Sequence, residues 1–270
     1  MKTATETTVQ PEDWPLIGPG DPPPYTFFNS AGRAPWLLVC DHASRVVPRA
    51  LDELGLAQAD LARHIAWDIG AADLTRSLAQ RFDAPAVLAG YSRLVIDNNR
   101  ALDDATSIVA TSDGTAIPGN RDLAAAQRAE RVHAIFEPYH RAIDGRLEEF
   151  RRRSIVPALL SIHSFTPVMN GNARPWHVGV LWDRDARIAV PLMEDLAASE
   201  EVTVGDNLPY SGRHPADYTV ARHAERAGLP HVCIEVRQDL IETPQGVERW
   251  SELLARSLAP ILNGPNLRMK

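Results

Sequence analysis

Three short apolar runs stop abruptly at ionisable side chains, and this pattern constrains the chain more than any other feature. Trp36 to Cys40 (WLLVC) runs into Asp41 and His42, residues 157–162 (PALLSI) run into His163 and Ser164, and residues 231–234 (HVCI) run into Glu235, Val236 and Arg237. Strands that are apolar without alternation belong inside a parallel sheet covered on both faces. Strand-like and helix-like segments alternate along the chain, which predicts an α/β fold: a three-layer α/β/α sandwich with a mostly parallel, mixed central sheet. In an open sheet of this kind, ligands bind in the crevice outside the carboxyl ends of the strands. The polar terminators are therefore expected to converge at one edge.

The other segments follow the same order. Residues 1–35, with GPGDPPPY inside them, are too rich in Pro and Gly for regular structure and read as an arm on the surface of a single domain spanning 36–270. Leu61, Ile65, Ile69, Ala72 and Leu78 recur at roughly helical spacing and predict a helical run from about Ala59 to Arg81. Strands fit residues 84–89 (APAVLA) and 92–97 (SRLVID). Residues 98–120 read as a long loop of the kind that is more often functional than idle. A long helical run covers 122–153, with Pro138 expected to kink or divide it. Further strands fit residues 177–182 and 201–207, and further helices fit 190–198, 216–227 and 244–262.

A net charge of −7 removes one class of partner. A surface that tracks phosphates needs a basic excess, so neither nucleic acid nor an anionic membrane is expected to bind. The first ten residues carry Thr and charge where a secretory signal needs an apolar core, and no window reaches transmembrane length, so the expected location is the cytoplasm. Cys40 and Cys233 each sit in an apolar run and read as buried, reduced thiols.

Two histidines and a glutamate at one sheet edge suit a catalytic zinc, held by His and carboxylate ligands with a position left for water and a second carboxylate to take the water's proton. Other divalent ions also tolerate such ligands. His42 and His163 are two candidate ligands. For the third, Asp68 lies early in the first helical run beside the same edge, and His64, one helical turn earlier, competes with it. A second polar cluster, YSRLVIDNNR (91–100), supplies Arg93, Asn99 and Arg100, and Arg237 follows Glu235. The planar fork of arginine matches a carboxylate, so these residues are expected to hold an acidic substrate. Asp97 pairing internally with one of the arginines is the structural alternative. The loop 206–219 offers Tyr210, Arg213 and His214 as donors over the cleft. His133, His140, His177, His223 and His231 read as packing or surface residues. No G-x-S-x-G elbow surrounds Ser44 or Ser164, which disfavours a serine hydrolase.

The motifs VCDHAS, WD, YSRLVIDNNR, SIHSF, NLPYSG and IEVRQDLI, in this order between about Trp36 and Leu262, resemble the N-formylglutamate amidohydrolase family. The resemblance implies a phosphorylase/hydrolase-like α/β domain that hydrolyses N-formyl-L-glutamate, or a related small acidic N-acyl amino acid, to formate and the amino acid, a step of histidine breakdown. It also implies zinc on His42, Asp68 and His163, with Glu235 as general base. More distantly the arrangement is similar to zinc carboxypeptidases and cell-wall amidases. Where the carboxypeptidases have a ligand glutamate three residues after the first histidine, this chain has Arg45, so its carboxylate ligand comes from elsewhere. The alternatives are another zinc hydrolase, such as a carboxypeptidase, deacylase or cell-wall amidase, and a non-catalytic binder of an acidic metabolite.

Overall fold

The three apolar runs lie at the centre of an eight-stranded sheet in the computed structural model of the chain, which describes residues 6–8, 16–213, 218–264 and 267. The chain begins with β1 (Glu6–Thr8), β2 (Tyr25–Phe28), β3 (Trp36–Cys40), the single turn α1 (Gln58–Leu61), α2 (Ala71–Phe82) and β4 (Ala86–Ala89). A small hairpin, β5 (Thr111–Ser112) and β6 (Thr115–Ala116), precedes α3 (Ala125–Arg131) and α4 (Glu137–Arg152). Then come β7 (Ala158–Phe165), a second hairpin of β8 (Val168–Met169) and β9 (Asn172–Ala173), β10 (Val178–Leu181) and α5 (Ala189–Ala197). The last elements are β11 (Val204–Asp206), α6 (Tyr218–His223), β12 (His231–Arg237) and α7 (Pro244–Asn263).

The strand order is β1-β2-β4-β3-β7-β12-β10-β11. The middle of the sheet, β4, β3, β7 and β12, is parallel, as is the β10–β11 pair, whereas β1–β2, β2–β4 and β10–β12 are antiparallel. Successive residues of β3 serve opposite layers, as the period of a strand requires. Trp36, Leu38 and Cys40 join a core with α2, α5 and α7, while Leu37 and Val39 face Tyr139 and Ile143 of α4 and Val220 of α6. Leu37, Leu38 and Val39 have no exposed surface, and each such burial contributes roughly 1.5–3 kcal/mol. A third core, built from Leu54, Leu61, Ile65, Leu94, Val95 and Ile96 among others, packs the loops. Both cysteines are buried, and they form no disulfide.

Several local expectations are corrected. Within the Pro/Gly-rich segment, Tyr25–Phe28 form a sheet strand paired with β4. The run 59–81 is not one helix: it is interrupted between Leu61 and Ala71, where Gly70 takes φ of 80° and passes so close to Ile241 that a Cβ would lie 2.2 Å from its carbonyl oxygen. Residues 92–97 form no strand, and 93–95 form a turn. Ser92 is held by Val46 and Ala66, and Leu94, Val95 and Ile96 are buried in the loop core, so an apolar run here marks burial without a strand. In the long helical run, the π-helical turn Val132–Phe136 joins α3 to α4 and lies directly before Pro138, so the helix changes its hydrogen-bond spacing there and is not divided. The loop 98–120 contains the β5–β6 hairpin. The segment 216–227 yields α6 followed by a 3-10 turn, Glu225–Ala227, and its first two residues lie outside the described residues.

Candidate metal centre and active-site cleft

His42 lies two residues beyond the end of β3, and His163 lies near the end of the longer strand β7. Their rings meet edge to face with centroids 5.0 Å apart. Asp68 reaches them from the turn before α2, because its amide donates to the carbonyl of His42 at 3.0 Å and the Ile69 carbonyl accepts from the Ser164 hydroxyl at 2.8 Å. Those two bonds tie the turn to the sheet edge and explain why Asp68 is not on a helix. Asp68 Oδ2 lies 3.3 Å from His42 Nδ1 and 2.9 Å from His163 Nδ1. The three residues are buried, and one ligand atom from each lies within 4.8 Å of the others.

The other ring nitrogen of each histidine faces a carboxylate. His42 Nε2 is 2.7 Å from Asp97 Oδ1, and His163 Nε2 is 3.2 Å from Asp41 Oδ2 and 3.0 Å from Ser161 Oγ. A carboxylate at Nε2 fixes that nitrogen as the donor and leaves the Nδ1 lone pair for a metal. Burial disfavours charge on His163, but the hydrogen bonds to Asp41 and Asp68 outweigh it and hold its pKa well above the usual value. Burial and Arg93 oppose a charged His42, and Asp97 and Asp68 prevail. Burial would raise Asp68, yet His42 and His163 keep it below the usual carboxylate range. Two imidazoles and one carboxylate whose donor atoms converge, with carboxylates behind both rings, fit a divalent ion such as zinc.

Glu235 is 6% exposed, and its Oε2 has no hydrogen-bond partner among the described residues. Burial pushes its pKa up to about 7, with His163 opposing and Asp68 reinforcing the shift. It lines a cavity of about 400 Å³ together with His42, Asp68, His163, Arg93, Asn99, Arg100 and Tyr210, and Ile65, Leu94, Val109 and Met169 provide apolar wall.

The candidate substrate residues divide. Arg93 donates through Nε and Nη2 to Asp97 Oδ2 at 3.1 and 2.7 Å and lies 3.7 Å from Asp68 Oδ1, so the internal pairing of Asp97 is the arrangement found. Arg100 donates to the Asn99 carbonyl at 2.8 Å, and Asn99 Oδ1 accepts the Thr219 amide at 3.0 Å, which directs the Asn99 NH2 elsewhere as a donor. Tyr210, 41% exposed at the rim, accepts a bond from Arg174 at 3.1 Å. Arg237 does not line the cavity: its guanidinium is turned to Asp239 at 2.8 Å and to the carbonyls of Arg174 and Trp176. His64 lines the cavity but faces Asp113 at 3.5 Å and stands outside the three-residue group. Arg213 lies over the ring of Trp182, and His214 falls outside the described residues. His140 and His223 stack in a buried pair away from the cavity lining, and His133, His177 and His231 bond to neighbouring protein groups.

Asp41, a strand terminator to which the sequence assigns no role of its own, completes the site together with Ser161 and Thr219. The dipeptide Asp41-His42 carried a signal for the first, since an acid directly after a buried strand needs a partner. Nothing local marks Thr219.

The sequence model of the N-formylglutamate amidohydrolase family matches residues 34–242. Among curated proteins no sequence matches the chain. Among solved structures, a gene product of Agrobacterium tumefaciens is 33% identical with a TM-score of 0.86, over 91% of this chain and 99% of that one. The N-formylglutamate amidohydrolase of Ralstonia eutropha is 18% identical with a TM-score of 0.71, over 88% and 97% of the two chains, and shares the fold. No described helix is long and apolar enough to cross a membrane.

Proposed function

Because this chain belongs to the N-formylglutamate amidohydrolase family, we propose that it hydrolyses the N-formyl amide of N-formyl-L-glutamate, or the acyl amide of a closely related N-acyl amino acid, with a divalent ion, preferably zinc, on His42, Asp68 and His163. The observation that carries the reading is a buried Glu235, whose Oε2 has no hydrogen-bond partner among the described residues, in one cavity with three converging donor atoms. When bound there, the ion supplies Lewis-acid polarisation of the scissile carbonyl and compensates the charge that develops on its oxygen.

Glu235 takes the proton of the attacking water and then delivers it to the departing amine nitrogen. A carboxyl with its pKa raised to about 7 can do both near neutral pH. Asn99, through its NH2, and Arg100 receive the substrate's carboxylate, because both line the cavity while much of Arg93 is committed to Asp97. Asp97 and Asp41 hold the two imidazoles with their Nδ1 lone pairs inward. Tyr210 covers the rim.

The test is formate release from N-formyl-L-glutamate by zinc-loaded protein, run beside protein stripped with a chelator. Release that vanishes on stripping and returns with zinc supports the reading. No release from folded, zinc-loaded protein, on this substrate or on a panel of N-acyl amino acids, overturns it.

A further inference from the structure

Thr219 belongs to α6, a helix the proposed reaction does not use, yet it has no exposed surface and touches the backs of two parts of the site. Its hydroxyl lies 2.8 Å from Asp41 Oδ1, and the other oxygen of that carboxylate lies 3.2 Å from His163 Nε2. Its amide donates to Asn99 Oδ1 at 3.0 Å. We propose that Thr219 is a positioning residue for the metal site, acting on His163 through Asp41, an inference that rests on the metal-centre reading above.

The direction of each bond follows from the groups available. A carboxylate only accepts, so the threonine hydroxyl must donate to Asp41. The competing acceptor, the Asn98 carbonyl, is 3.5 Å from the hydroxyl and already faces His140 Nε2 at 2.9 Å. Asp41 Oδ1 is thus held by Thr219, which leaves Oδ2 aimed at His163 Nε2. With that nitrogen as donor, the lone pair of Nδ1 points to Asp68 and the metal position.

The Asp41 side chain is 0% exposed. Water therefore does not replace the threonine hydroxyl, and its loss leaves a buried carboxylate oxygen without that donor. No longer fixed from behind, the carboxylate turns toward the Tyr139 hydroxyl, its other side-chain neighbour, and His163 Nε2 loses the aligned contact that selects its tautomer. The alternative tautomer places a hydrogen on Nδ1, where the metal must bind. Ser161 Oγ, 3.0 Å from His163 Nε2, is too weak an acceptor to restore the selection alone.

The variant T219V keeps the shape and the backbone bond to Asn99 but removes the hydroxyl, and T219S restores it. The readout is zinc affinity by chelator competition on the full chain without substrate, with the Tm of the metal-free protein measured alongside. T219V is expected to bind zinc about 10- to 100-fold more weakly, the range for removing an outer-shell partner, while T219S stays near wild type. Combined with D41N, which breaks the same link, the losses should be non-additive. A folded T219V with wild-type zinc affinity, whatever its Tm, overturns the inference. If T219V does not fold, D41N alone decides in the same way. Wild-type protein that binds no zinc sinks the metal reading itself, whereas zinc binding without formate release counts only against the proposed substrate.

Discussion

Glu235 stands directly opposite His163 in the parallel pairing of β12 with β7. Residues in register on neighbouring strands project to the same face of the sheet, so a carboxylate and a candidate ligand imidazole leave the sheet side by side. Replacing Glu235 with Gln should keep the shape and the metal but remove the proton acceptor. Zinc content should remain near wild type, and formate release should fall by about 10²–10⁴-fold. A near-normal rate in E235Q would remove Glu235 from the reaction.

The same substitution should change stability in a pH-dependent way. The Glu235 carboxyl is raised to about 7 in the folded chain, above an ordinary value of about 4.3. The folded state therefore binds this proton more tightly than the unfolded state, and the associated stability is complete below about pH 4 and lost as pH rises through about 7. Metal-free E235Q should have a higher Tm than metal-free wild type at pH 8, and the difference should shrink toward zero at pH 4. Equal differences at both values would contradict the shift.

His163 offers a different test. H163A removes one of the three converging donors, so zinc should be lost on dialysis while the wild type retains it. Elemental analysis of the two dialysed proteins checks this, and undiminished zinc in H163A would take His163 out of the ligand set.

Arg93 and Arg100 should separate structure from binding. Arg93 compensates the buried carboxylates of Asp97 and Asp68, and removing one partner of such a cluster typically costs about 3–5 kcal/mol. R93M should accordingly lower the urea midpoint strongly. R100M should raise KM more than it lowers the urea midpoint, since Arg100 lines the cavity. The reverse pattern would exchange their roles.

Several parts of this molecule are legible in the chain itself. The central strands β3, β7 and β12 are, because a run such as LLVC has no polar face to give to water and must be covered on both sides. The same runs mark where polar chemistry begins, since Asp41-His42, His163 and Glu235 interrupt them at places a buried strand would not choose. Alternating strands and helices then decide the layer architecture. Periodicity is less informative where burial has another cause. Leu94, Val95 and Ile96 read as a strand but fill the core beneath a turn, and Ile65 and Ile69 continue a helical spacing through residues that are not helical.

What only the tertiary structure decided are the relationships whose energy comes from groups far apart in sequence. Asp68 leaves the helix because the carbonyl of His42 and the hydroxyl of Ser164 hold its turn to the sheet edge. Arg93 is drawn to Asp97 and Asp68, and Arg237 is drawn to Asp239, because a guanidinium is placed by the carboxylates it can reach and not by its own spacing. Thr219 joins the site across 178 residues of chain through one hydrogen bond to Asp41. Burial pattern is a local property of the chain, and so the sheet could be read from it. The partners that a buried polar atom finds depend on the whole fold, because only the folded chain removes the water that would otherwise satisfy them.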